Sequence, residues 1–407
     1  MTEQTNTPEL RFPEYKNEWD LKKIGNLANI VRGASPRPIK DSKWFDDNSE
    51  VGWLRISDVT QQNGKIKFLQ QHLSTEGQKK TRVLHESHLL LSIAASVGKP
   101  VINYVKTGVH DGFLIFMKPK FNLYFMFNWL ENFQLKWNKY GQPGSQVNLN
   151  SDLVRSQDIY IPHLYEEQEK IGNFFNKLDR QIELEEQKLE KLEEQKKGYM
   201  QKIFSQELRF KDEEDNVYPD WIRTKLINIV TPLKGQDDNI TNLPILTISA
   251  SRGWLNQKER FSQVIAGNSL KKYTQVKKND LSYNKGNSKV AKYGIVFRLK
   301  NEALVPNVYK SFRPNENIDS IFIEKYFHNK TLDKQLRTRI TSTARTDGLL
   351  NISDQDFYDI KLYIPILQEQ TKIADFLNKL DKLIEKQSSK IILLKHRKKG
   401  LLQKMFV

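Results

Sequence analysis

Residues 168–204, QEKIGNFFNKLDRQIELEEQKLEKLEEQKKGYMQKIF, return 202 positions later as residues 370–406, QTKIADFLNKLDKLIEKQSSKIILLKHRKKGLLQKMF. The two copies align without a gap, and about half of their positions are identical. Asn-Lys-Leu-Asp at 176–179 recurs at 378–381, and Lys-Lys-Gly at 196–198 recurs at 398–400. The likeness continues upstream. Asn148 followed by Tyr160-Ile161-Pro162 answers to Asn351 followed by Tyr363-Ile364-Pro365. Leu10-Arg11-Phe12 with Trp19 answers to Leu208-Arg209-Phe210 with Trp221. The chain is therefore a tandem duplication, since two copies are too few for a repeat array.

The shared segment reads as a long helix. Apolar residues recur in steps of four and three at Ile171, Phe175, Leu178, Ile182, Leu189 and Leu192. In the second copy they fall at Ile373, Leu377, Leu380, Ile384, Ile391 and Leu394. Such a sustained heptad seam is the pattern of a coiled coil. Neither segment contains proline, and Pro162 and Pro365 stand just before the helices, where proline is tolerated. The seam is broken at matching steps by Glu185 and Gln387 and by Lys196 and Lys398. Long polar side chains on a thin seam are expected to reach out to solvent, with register-fixing as the sharper alternative. Residues 166–205 carry a net charge of −2, and residues 366–407 carry +6. Opposite balances favour pairing of the two helices within one chain. A pseudo-two-fold arrangement of the two copies would then turn them antiparallel.

The expected architecture is α+β. Two globular mixed regions, 1–162 and 206–365, are separated by a central helix, 163–205, and a C-terminal helix, 366–407. Both globular regions show short strand-like runs between turn signals, at 51–59, 89–95, 101–105, 112–117, 245–249 and 294–299. Helical stretches are predicted at 124–139 and 318–339.

With 407 residues, the chain is long enough for two or three domains and needs no covalent staples. It has no cysteine, which removes disulfides, thiol catalysis and cysteine-based metal clusters. The longest apolar stretch, near 121–130, is interrupted by Asn122 and Asn128 and is too short to span a bilayer. The polar opening MTEQTNTPEL has no signal-peptide pattern, so a cytoplasmic location is expected. No phosphate-binding loop, dinucleotide fingerprint or nucleophile elbow is present. His85 and His88 have the spacing of a metal pair but lack a supporting cluster, so no metal site and no catalytic residue is assigned.

What remains is charge. The net charge of +16 favours a polyanionic partner. The surplus is +5 on residues 1–165 and +7 on residues 206–365. Polar and basic loops supply the candidate contacts. In the first region these are Ser35, Arg37, Lys79, Lys80, Arg82, Gln142, Ser145 and Gln146. In the second they are Ser251, Arg252, Lys285, Asn287, Lys289, Arg337, Arg339, Thr343 and Arg345. Such residues hold phosphates, and Arg, Asn and Gln can read base edges bidentately.

The layout resembles the specificity (S) subunit of type I restriction–modification enzymes. The features are Pro8-Glu9-Leu10-Arg11-Phe12-Pro13 with Trp19, the two Tyr-Ile-Pro…Glu-Gln…Ile passages at 160–171 and 363–373, and the Lys-Lys-Gly…Gln-Lys endings. The resemblance covers essentially the whole chain. It implies two target recognition domains held apart by antiparallel helices, each reading one half of a split double-stranded DNA sequence. It further implies that the helices act as a ruler and dock two methyltransferase (M) subunits, with restriction/translocase (R) subunits completing the complex. On that reading this chain holds no cofactor, and S-adenosylmethionine, ATP and Mg belong to the partner subunits. The competing readings are a coiled-coil scaffold or adaptor with two protein-binding domains, and a stand-alone nuclease or methyltransferase.

Overall fold

Each copy of the repeat is fastened to its globular region by one buried glutamate. In the computed structural model, Arg11 grips Glu167 through two nitrogens, Nε to Oε1 at 2.6 Å and Nη2 to Oε2 at 2.8 Å. Trp19 adds its indole N–H to the same carboxylate at 3.3 Å. The second copy repeats this with Arg209, Trp221 and Glu369, at 2.8, 2.9 and 3.1 Å. The neighbouring glutamine works in parallel. Gln168 accepts from the Asn122 amide and donates to the Pro162 carbonyl, and Gln370 does the same for Asp319 and Pro365. Asn122 and Asp319 in turn cap the helices Leu123–Phe133 and Ser320–His328. The recurring Arg, Trp, Glu and Gln of the sequence are thus one buried polar joint, made twice and satisfied both times.

The residues described are 6–94, 97–140, 149–236, 243–257, 272–286, 291–340 and 350–407. The chain divides into two compact units, residues 1–186 with 389–407, and residues 187–388. The long helices Tyr165–Phe204 and Leu367–Met405 each contribute one half to each unit. In the first unit Phe175 stacks on Phe406 with ring centroids 5.9 Å apart, Lys398 reaches Asp179 at 2.7 Å, and Lys390 reaches Glu185 at 2.5 Å. In the second, Lys196 pairs with Asp381, and Tyr199 meets Phe376 edge-on at 5.1 Å. Ascending one helix accompanies descending the other, so the pair is antiparallel in both units.

These contacts join the two recurring tetra- and tripeptides. The aspartate of Asn-Lys-Leu-Asp in one copy binds the first lysine of Lys-Lys-Gly in the other. Solvent-seeking lysines were the expectation for Lys196 and Lys398. Instead both are held in the seam by carboxylates, and the register-fixing alternative describes them. All twelve apolar seam residues are buried or half-buried. The outer ends of the seam belong to the domain cores. Ile171 and Phe175 pack with Trp19, Phe125 and Phe406, while Ile373 and Leu377 pack with Trp221 and Phe322.

The opening of each repeat also caps a helix end. The Leu208 amide donates to the Lys202 carbonyl at 2.9 Å, and the Leu10 amide donates to the Lys404 carbonyl at 2.8 Å. Carbonyls of a last helical turn have no partner within the helix, so these bonds satisfy groups that would otherwise be orphaned.

In the first unit a five-stranded sheet runs in the order Asn29–Arg32, Phe113–Met117, Leu89–Ser92, Pro100–Asn103, Lys65–Ile66. Its central strands are buried on both faces, as their unbroken apolar runs require. A second sheet places Thr107–Val109 between Gly52–Leu54 and Arg82–Leu84. In the second unit the sheet order is Val230–Leu233, Lys310–Pro314, Leu281–Asn284, Ile295–Arg298. In both units a two-stranded ribbon enters the long helix, Asp20–Lys23 with Asp158–Ile161 and Ile222–Lys225 with Lys361–Ile364.

Two local readings are corrected. The run 51–59 is a strand only over Gly52–Leu54. Helix Ile56–Gln61 follows, because the Asp58 carboxylate accepts the Arg55 amide at 2.8 Å and caps its start. The stretch 318–339 is two helices, Ser320–His328 and Asp333–Arg339, parted where Lys330 takes a left-handed φ of 55°.

Candidate nucleic-acid interface

In the first unit the strand Asn29–Arg32 ends in the loop that carries Ser35 and Arg37. The Gly33 amide donates to Phe113 and the Ala34 amide to Val109, at 2.9 and 3.0 Å. A side chain at Gly33 would meet the His110 carbonyl at 2.2 Å, so only glycine lets the loop lie this close. The segment that carries Lys79, Lys80 and Arg82 lies against the same loop. The Thr81 hydroxyl bonds to the Ala34 carbonyl at 2.5 Å, and Arg82 Nε donates to the Arg32 carbonyl at 2.8 Å. Two loops read separately from sequence therefore form one exposed basic surface with Arg32, Arg37, Lys79, Lys80 and Arg82 on it.

At its centre is a residue that the sequence reading missed, Asp111. Its carboxylate accepts from the Ser35 hydroxyl at 2.9 Å and from Arg37 Nη2 at 2.7 Å, and its carbonyl accepts from Arg32 Nε at 2.6 Å. Burial alone would raise the Asp111 carboxyl. The Ser35 hydroxyl, with His110 and Arg37, outweighs it and holds the group below the ordinary aspartate range. No local pattern marks an isolated acidic residue in a turn, so no sequence signal could have found it. A cleft of about 780 Å³ also lies in this unit, lined by Trp53, Arg55, Lys40 and His110. Asp46 and Asp47 line it as well, which makes it a poor cradle for phosphate.

In the second unit Ser251 and Arg252 are exposed at the turn between the strands Leu246–Ser249 and Gly253–Asn256. Asn284 donates to the Ile248 carbonyl at 3.2 Å, which brings the end of the strand Leu281–Asn284, and with it Lys285, to the base of that hairpin. The Leu350 amide donates to the Lys285 carbonyl at 2.8 Å. Arg337 and Arg339, grouped with the basic loops, stand on the helix Asp333–Arg339, within the helical stretch expected at 318–339. Arg337 is exposed. The Arg339 guanidinium instead bonds to the carbonyls of Gln335 and Asp359, at 3.3 and 3.4 Å, and ties its helix to the next turn. Gln142, Ser145, Gln146, Asn287, Lys289, Thr343, Arg345 and Asn148 lie outside the described residues.

Among the described residues, no three or more His, Asp or Glu side chains gather as a metal site would require. Among them, too, no helix is long and apolar enough to cross a membrane.

Residues 16–194 and 224–395 each match the family described as the type I restriction modification DNA specificity domain. The fold is similar to the crystal structure of a type I restriction-modification system S subunit from M. genitalium. That match has a TM-score of 0.60 at 14% identity and covers 98% of this chain and 99% of that one. It is also similar to a chain from a structure described as the basis of complex assembly and conformational transition of the type I R-M system. There the TM-score is 0.56 at 14% identity, covering 96% of this chain and 98% of that one.

Proposed function

The chain belongs to the type I restriction–modification DNA specificity family and carries its specificity domain twice, and from that premise we propose that the two copies divide one DNA target between them. Each globular region reads one half of a split, asymmetric double-stranded sequence. The antiparallel helices hold the halves at a set spacing and dock two methyltransferase subunits, and restriction/translocase subunits complete the complex. Recognition is this chain's task. Methyl transfer, translocation and cleavage, with S-adenosylmethionine, ATP and Mg, belong to the partners, and the assembly works in the cytoplasm.

The observation that carries this reading is a duplication that is strict at the joints and lax on the reading surfaces. The Arg–Trp–Glu joint and the Asp–Lys seam pair are made twice with nearly the same geometry. The main sheets keep the same order over four strands, with Lys65–Ile66 an extra edge strand in the first unit, but the basic loops they carry differ in residues. Two unlike readers on like mountings suit a target whose halves differ.

Footprinting and methylation mapping of the complex reconstituted with its methyltransferase subunits tests this. Two short protected elements of different sequence, parted by an unread gap, are expected. Affinity should fall steeply with salt, as phosphate contacts release counterions. Exchanging residues 206–365 for those of a relative should change one element and leave the other. A single continuous element, or a change in both, would overturn the division of labour. Salt-insensitive binding of a protein with no footprint would favour the scaffold reading.

A further inference from the structure

A carboxylate on a surface meant for a polyanion weakens binding unless it has a use. Asp111 bonds to both Arg32 and Arg37, and its contacts are specific. Its amide donates to Ser35 Oγ at 3.2 Å while the Ser35 hydroxyl donates back to Oδ1 at 2.9 Å. Oδ2 takes a single nitrogen of Arg37, Nη2, at 2.7 Å. His110 lies beside the carboxylate, with Nδ1 3.0 Å from Oδ1, and adds to its hold only in the protonated form. Burial holds His110 below its usual pKa, and its Nδ1 accepts the Gly112 amide at 2.9 Å. Ser35 therefore fixes the carboxylate, and the carboxylate fixes Arg37.

The Arg37 side chain is 69% exposed. A guanidinium carries five N–H donors in a planar fork. With one nitrogen anchored to Asp111, the others face solvent already oriented, and less side-chain entropy is lost on binding. The charge of the pair bears on what it can read. Beside Asp111, Arg37 presents nearly no net charge to a distant phosphate, so its long-range attraction is largely cancelled. Short-range donor bonds are not cancelled, and the O6 and N7 acceptors of guanine are a match for such a fork.

Resting on the reading that the first domain recognises DNA, we propose that Arg37 is a specificity-determining residue directed at a guanine edge, and that Asp111 is its positioning residue. The complex of full chain and methyltransferase subunits would be used to select from duplexes randomised across the target. Binding would also be measured against salt. Arg37→Ala should abolish preference at one G·C pair of one half-site, a loss of roughly 5- to 150-fold in discrimination there. Arg37→Lys keeps the charge without the fork and should lose the same preference. Asp111→Asn should relax that same position, while affinity for unrelated duplex holds or rises and the salt dependence steepens. A merely structural aspartate would not give that combination. Equal unfolding midpoints for parent and variants check the fold. The proposal is overturned if Arg37→Ala weakens all sequences alike with a shallower salt slope, if Arg37→Lys keeps the preference, or if Asp111→Asn leaves it intact. If the parent itself selects no sequence, the underlying DNA reading fails. If the parent selects and the variants match it, only this inference does.

Discussion

Replacing Lys398 by methionine tests whether the two copies are locked together by their exchanged aspartate–lysine pairs. Lys398 Nζ lies 2.7 Å from Asp179 and 2.5 Å from Glu131 of the helix Leu123–Phe133, and the side chain is only 12% exposed. Methionine retains the apolar stem and removes the cation. Breaking a fully buried pair costs about 3–5 kcal/mol, because the remaining charge is left uncompensated. Two features reduce that figure. Asp179 keeps a second partner, Lys65 at 2.8 Å, and Glu131 is more than a third exposed, so water can reach it. The expected loss is then about 2 kcal/mol. Urea unfolding should show a lower midpoint with an unchanged slope. Amide exchange should place the loosening at residues 165–186 and 389–405. In a cycle with Asp179→Asn, the two losses should fall short of additivity by at least about 0.5 kcal/mol. The pH dependence has a definite sign. Burial would lower the Lys398 pKa, but Glu131 and Asp179 raise it above its ordinary value. Its contribution is therefore full below about pH 10.5 and is lost as pH rises through the elevated value, where parent and variant should converge. A loss under about 0.5 kcal/mol, or strict additivity, would refute the lock.

Four residues inserted in both long helices, after Leu189 and after Ser388, add about 6 Å of helix, close to two base pairs of duplex. The methylated target should keep both halves and gain one or two unread base pairs, and a folded, active variant with the parental spacing would sink the ruler. Glu369→Gln leaves the Arg209 guanidinium facing a neutral amide at a site where the glutamate is fully buried, and should cost about 3 kcal/mol or more in unfolding experiments; a cost under about 1 kcal/mol would mean the joint is dispensable. Arg337→Ala should lower DNA affinity with little change in stability. Arg339→Ala should do the reverse, because its guanidinium is spent on carbonyls, and the opposite pattern in binding and melting measurements would exchange their roles.

What the sequence revealed, and what it hid, follows from the range of the interactions. The long helices were legible because a heptad seam is a local pattern and the repeat states it twice. Strands such as Leu89–Ser92 and Phe113–Met117 were legible for the same reason, since an apolar run between turns needs no distant partner to be recognised. The misreading of 51–59 is also local. Its alternation suits a strand, and one carboxylate at Asp58 starts a helix instead. The partners of the motifs were hidden. Asn-Lys-Leu-Asp and Lys-Lys-Gly were visible as repeats, yet nothing in either says that one binds the other across a separation of about 200 residues. Asp111 was hidden more deeply, because its meaning lies in Ser35 and Arg37, more than 70 positions away.

The same pairs explain why the helices choose each other. Moving each partner back by the 202-residue repeat shows what two first helices would meet if they paired together. Asp179 would still find a lysine, Lys196, and Glu185 would find Lys188. Glu186, which binds Lys395 at 2.6 Å in the chain, would instead face Glu193. Two second helices would keep Asp381 against Lys398, but Gln387 and Ser388 would stand opposite Lys390 and Lys395 with no charge to offer. Over both halves the mixed pair makes four carboxylate–lysine pairs and sets no carboxylates face to face, whereas two first helices make four but oppose two pairs of glutamates, and two second helices make only two. Each exposed pair contributes only a few tenths of a kcal/mol to about 1 kcal/mol, so charge biases the choice without enforcing it. The covalent connection supplies the rest by making the pairing intramolecular. The Asp–Lys lock is common to every combination and fixes the antiparallel register. The uneven charges, −2 on one helix and +6 on the other, bias which copies share it, and the covalent connection completes the choice.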